Sequence, residues 1–190
     1  IGAAERYLGG ILCKSRFLVH LDEDLMELAK HRLPTMLAQM PRTHERKEFF
    51  VSPDSVRGCD HRGYSFNRLS SSYNHIGLTS FALVSKALHD DFLASMNEYI
   101  NIFKVTKGNG EDIVYAWHAY KRGVHPTVLK SNYFGRRLST YIPYSTKKNH
   151  SNVRNKLCGL LFTDRSRDLS ERALQQLFQN HRPQHHDILK

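Results

Sequence analysis

Twelve histidines are the residues of this chain most able to do chemistry, and some of them have a suggestive spacing. His89-Asp90-Asp91 has the order that metal-dependent phosphate hydrolysis uses at its centre, where an imidazole and carboxylates share a divalent cation. It falls on an apolar-striped helix with no histidine placed upstream to complete the set, so it reads as a surface or capping pair. Asp60-His61, Asn67 and His75 follow the order in which one histidine activates water and a second helps hold a metal. The gap from His61 to Asn67 is too short for that arrangement. His181 and His185 lie four apart beside His186 and Asp187, the spacing of a zinc-binding helix face, but Pro183 breaks that face. Lys107-Gly108-Asn109-Gly110 lacks the Lys-Ser/Thr that completes a phosphate-cradling loop. No nucleophile stands out. The expectation is a protein that is not an enzyme and uses no metal or cofactor.

Charge offers a better lead. The net charge is +10, from 28 Lys and Arg against 18 Asp and Glu. Between Asp112 and Asp164 there is no carboxylate, yet Lys121, Arg122, Lys130, Arg136, Arg137, Lys147, Lys148, Arg154 and Lys156 all fall there. Outside that interval 19 cations face 18 carboxylates, so the surplus is local. Tyr115, Trp117, Tyr120, Tyr133, Phe134, Tyr141, Tyr144 and Phe162 are interleaved with it. Cations meet phosphates, and rings stack on unpaired bases for about 1–3 kcal/mol each. Those nine cations, with Tyr141 and Tyr144 as stacking rings, are the candidate RNA-binding residues. The competing account is a solvated charged face whose rings sit in the core.

The elements that must carry these residues look helical. Asp22, Glu23 and Asp24 precede Leu25, Leu28, Ala29, Leu33, Met36, Leu37 and Met40 at helical spacing. Pro34 predicts a kink there and Pro41 an end. Leu78, Phe81, Val84, Leu88, Phe92, Met96, Tyr99 and Phe103 step by three and four, which predicts one long helix over 78–105, capped by Thr79 or Ser80 and broken by Gly108-Asn109-Gly110. Glu111 and Asp112 open a helix over 111–122 that closes at Gly123. A weaker helix follows Pro126 to about Ser139. Ser151 can cap another with Val153, Leu157, Leu160 and Leu161, and Asp168 with Glu171 forms a capping-box variant before Ala173, Leu174, Leu177 and Phe178.

From Phe50 to His75 no period survives among Ser52-Pro53-Asp54-Ser55, Gly58, Gly63 and Ser70-Ser71-Ser72. That predicts a long loop, with Arg57, His61, Arg62 and Arg68 beside Tyr64, Phe66 and Tyr73 as a second RNA-facing surface. The fold class expected is mainly α, six to seven helices packed as helical hairpins, with one long irregular segment and extended termini. The division is 1–49 as N-terminal helices or an extension, 50–77 as a long polar loop, 78–182 as the hairpin core, and 183–190 as a tail.

Gly108 to Pro126, closing on Tyr120-Lys121-Arg122-Gly123-Val124-His125-Pro126-Thr127-Val128, resembles the second helix and final turn of a pentatricopeptide repeat, which ends in a Gly-Val-x-Pro-x-Val type of sequence. With the preceding segment, 78–128 would form one helical hairpin. The resemblance implies a mitochondrial or plastid helical scaffold, RNA-associated or serving as a protein-binding subunit.

Cys13, Cys59 and Cys158 are odd in number and far apart, so neither a disulfide framework nor a metal pair is visible, and a reducing compartment follows. The chain begins at Ile1 instead of Met, as after trimming or removal of a targeting peptide. With the basic charge and few cysteines, this suggests the mitochondrial matrix. No run reaches the roughly 18 apolar residues of a membrane span. The function expected is a structural subunit of a mitochondrial ribonucleoprotein, the ribosome first, with ribosomal RNA and neighbouring subunits as partners. The alternative is a pentatricopeptide-like, protein-binding structural subunit of an energy-transducing complex such as ATP synthase.

Overall fold

A computed structural model of the chain describes residues 2–22, 25–43, 48–52, 57–60, 63–66, 74–77, 79–128, 150–162 and 169–179. In chain order these form a 3-10 helix Gly2–Leu12, β1 Phe17–Leu21, α1 Met26–Thr43, β2 Phe50–Ser52, β3 Arg57–Asp60, β4 Gly63–Phe66, β5 Asn74–Ile76, β6 Phe81–Ser85, α2 Lys86–Ala94, α3 Met96–Thr106, α4 Glu111–Lys121, β7 Thr127–Val128, α5 His150–Leu161 and α6 Glu171–Gln179. The chain is mainly helical, as expected, but it is layered around sheet instead of being built from hairpins alone.

The segment expected to be one helix over 78–105 opens with β6, one of the two inner strands of a four-stranded sheet ordered β1-β6-β2-β7. Phe17 pairs with Ser85 and Leu21 with Phe81 on one side, and Phe50 pairs with Val84 on the other, all antiparallel. β2 and β7 run parallel, with Val51 opposite Thr127. All of Phe-Ala-Leu-Val-Ser is buried. Alternate side chains of a strand face opposite ways, so β6 feeds two cores. Phe81 and Leu83 join Leu25 and, from α1, Ala29 and Met36, whereas Ala82 and Val84 join the cluster of α2 to α5. A strand buried on both faces reads as a continuous apolar run, which periodicity cannot tell from helix.

β6 passes into α2 at Ser85, whose hydroxyl accepts from the Leu88 amide at 3.3 Å and so caps the helix in place of Thr79 or Ser80. α2 and α3 are separated by Ser95. Lys107, at φ 53°, then turns the chain left-handed. α4 carries eight consecutive buried residues, Asp112 to Ala119. It is therefore an all-round core helix, with no polar face. Gly123, at φ 72°, closes it as the sequence indicates.

The expected loop over 50–77 holds β2 and a second sheet ordered β4-β3-β5. In it Cys59 lies opposite Tyr64 on one side and Asn74 on the other. Strands of three or four residues have no room to show a period. α1 continues through Pro34 and Pro41 as one helix, and Ser151 lies inside α5 rather than capping it. Ser170 caps α6, its hydroxyl accepting from the Ala173 amide at 3.3 Å. The helix expected after Pro126, the Asp168 box and the 183–190 tail lie outside the described residues, apart from β7.

The cysteine expectation is overturned. Cys59 of β3 and Cys158 of α5 form a disulfide across 99 residues, with Cα atoms 5.1 Å apart. Cys13 remains free. No described helix is long and apolar enough to cross a membrane.

Candidate polyanion-binding residues and the buried polar networks

Four of the nine candidate cations lie in described segments, and each is engaged within the fold. Lys121 Nζ meets Glu98 Oε2 at 2.9 Å and sits over the Trp117 ring, 4.5 Å from its centroid. Partial burial pulls its pKa down, but bonds to Tyr99 and Glu98 outweigh this and raise it. Arg122 donates to Glu48 Oε1 at 2.8 Å and lies 3.4 Å from Asp91 Oδ2. Lys156 donates to the Leu177 carbonyl at 2.6 Å beside Phe178, and desolvation lowers its pKa. Arg154 is 5 % exposed and is ion-paired with Asp112. These four do not form one surface. Arg154 faces the first turn of α4, whereas Lys121 and Arg122 mark its far end, about 14 Å away along a helix rising about 1.5 Å per residue.

Lys130, Arg136, Arg137, Tyr141, Tyr144, Lys147 and Lys148 lie outside the described residues. Of the interleaved rings, Tyr115 is fully buried and Trp117 is 8 % exposed. Tyr120 packs edge-on against His125 and Phe162. For these rings the core account holds. In the expected second surface, Tyr64 is half-buried beneath Arg154, whose guanidinium carbon sits 4.3 Å from the ring centroid. His61, Arg62, Arg68 and Tyr73 are outside the described residues.

The His89-Asp90-Asp91 side chains go to separate surroundings. His89 Nε2–H donates to the Tyr7 carbonyl at 2.9 Å, which leaves Nδ1 as the lone-pair nitrogen, buried and without a hydrogen-bond partner among the described residues. Asp90 pairs with Lys86. Asp91 Oδ2 lies 3.0 Å from His118 Nε2, off the line of a good hydrogen bond. Among the described residues no group of three His, Cys, Asp or Glu side chains converges as a metal would require. The Asp60-His61, Asn67, His75 and His181, His185, His186, Asp187 groups extend beyond the described residues.

Sequence reasoning passed over two polar assemblies. One joins Asp91 to His118 and, through a 2.8 Å contact from the Tyr99 hydroxyl to His118 Nδ1, to α3. The other joins Asp112 and Arg154 to the Tyr64 hydroxyl, 3.0 Å from Arg154 Nη2. Burial alone would lower the Arg154 pKa, but the Asp112 carboxylate reverses that and holds it raised. The only sequence signal for Asp112 was its first-turn position, which has an equally good explanation in the helix dipole. A ring cluster of Tyr7, His20, His89, Phe92 and Tyr115 fills the centre, with His20 and His89 centroids 5.2 Å apart. A groove of about 310 Å³ between α3 and α6 is lined by Lys104, Val105, Glu171, Gln175, Phe178 and Gln179. None of the buried histidines lines it.

The histidines have a measurable consequence. Burial lowers the pKa of His89 below its ordinary 6.5, partly offset by the Tyr7 carbonyl. It lowers that of His118 likewise, partly offset by Asp91. Well above pH 6.5 both are neutral whether folded or unfolded. Below it the unfolded chain takes up protons that the folded chain resists, so stability falls as pH drops. Urea unfolding at about pH 5.5 should give a lower free energy than at about pH 7.5, because burial lowers both histidine pKa values. Identical midpoints and slopes would contradict neutral burial.

No protein-family model, curated protein or solved structure matches the chain.

Proposed function

We propose that this chain is a non-enzymatic, polyanion-binding structural module that meets RNA through residues 129–149. The supporting observation is where the charge goes. Lys121, Arg122, Arg154 and Lys156 bond to Glu98, Glu48, Asp112 and the Leu177 carbonyl. The candidate set therefore narrows to Lys130, Arg136, Arg137, Lys147 and Lys148, in a stretch with no carboxylate and with Tyr133, Phe134, Tyr141 and Tyr144 between them. The described layers flank that stretch in sequence, with β7 before it and α5 after it.

Exchanging Arg136, Arg137, Lys147 and Lys148 for Glu should weaken retention of single-stranded RNA. It should also flatten the salt dependence, by about one unit of logarithmic slope for each phosphate that is no longer neutralised. Lys156→Gln should leave both unchanged. Retention unaltered by the fourfold exchange would end the proposal. Equal loss for RNA and for a sulfated polysaccharide would mean that charge acts without base stacking.

A further inference from the structure

The structure assigns the Cys59–Cys158 bond a constitutive role, and we infer that the chain completes its fold in an oxidising compartment as the substrate of a thiol–disulfide oxidant. Both cysteines are fully buried. Their Cα separation of 5.1 Å lies within the range a disulfide requires. β3 belongs to a small sheet whose strands have only three or four residues, too little sheet to stand alone. That sheet is tied to α5 at one seam. The Tyr64 amide donates to Asn155 Oδ1 at 2.9 Å, Arg154 reaches the Tyr64 hydroxyl, and one turn further along α5 the disulfide closes on β3.

A bond that regulates by redox change must be reachable by a reductant, and such bonds are strained or exposed. This one is reachable only when the seam opens. It is therefore part of the fold, and bonds of that kind form where oxidised glutathione or a protein disulfide is present. The chemistry balances. The thiolate of one cysteine attacks the oxidant's disulfide and releases one thiol. The second thiolate then attacks the mixed disulfide and releases the other. Two electrons and two protons leave with the two released thiols, and Cys13 takes no part.

The test is a thiol count on the unaltered full chain produced in an oxidising host, denatured in alkylating reagent without reductant and read by mass. Alkylation at Cys13 alone, with a peptide pair joining Cys59 and Cys158, is expected. Alkylation at all three cysteines of folded protein overturns the inference. Production in a reducing cytosol should lower the soluble yield about tenfold or more, since losing such a bond often prevents folding. The Cys59→Ser, Cys158→Ser double variant should fall to that level in the oxidising host as well. Equal yield and equal melting of wild type and double variant in both hosts would also overturn the inference. The thiol count decides the matter even if the variant fails to fold, and its result does not depend on whether the chain binds RNA.

Discussion

Arg154→Ala should lower the unfolding free energy by about 3–5 kcal/mol, the usual cost of removing one partner from a buried ion pair. Both Arg154 and Asp112 are 5 % exposed, so deleting the guanidinium leaves a buried carboxylate without its ion-pair partner in the first turn of α4. Tyr64 loses its donor and the cation over its ring in the same step. The loss is one of mismatch more than of attraction. Exchanging both partners for apolar residues of similar volume, Arg154→Met with Asp112→Leu, should therefore cost less than the single change. Urea unfolding at neutral pH would measure all three proteins. A double variant as weak as Arg154→Ala, or weaker, would show that packing and not charge pairing dominates there.

Gly110→Ala should cost about 2–5 kcal/mol. Gly110 sits at φ 88°, and an added Cβ would drive into Leu157 Cδ1 of α5, a residue with no exposure. The backbone contribution is about 1–2 kcal/mol for a side chain held left-handed, and overpacking adds about 1–3 kcal/mol. Gly123 provides the control, because it has φ 72° and nothing within 4 Å of an added Cβ. Gly123→Ala should show only the backbone part. If both substitutions shift the midpoint equally, the contact with Leu157 yields easily and the α4–α5 interface is softer than its burial implies.

What could be read from the sequence depended on how local its cause was. α4 was legible from Glu111 and Asp112 at its start and Gly123 at its end, because caps and dipoles act within a turn. β6 was not, since Phe81 and Val84 continue the three-and-four spacing of Leu88 and Phe92 while belonging to a strand buried on both sides. β2 to β5 were too short to reveal alternation. The candidate site failed at Arg154 for a different reason. A cation in a helix normally faces water, and its partner Asp112 lies 42 residues earlier. The pairing of Cys59 with Cys158 likewise depends on β3 meeting α5, which spacing does not encode.

Between Cys59 and Cys158 the backbone is a closed circle that includes β6, α4 and the whole 129–149 stretch. A single proteolytic cut in that circle opens it without releasing either piece. The nicked molecule gains one water and keeps its cross-link until a reductant is added, so fragments seen only on a reducing gel come from intact-looking protein.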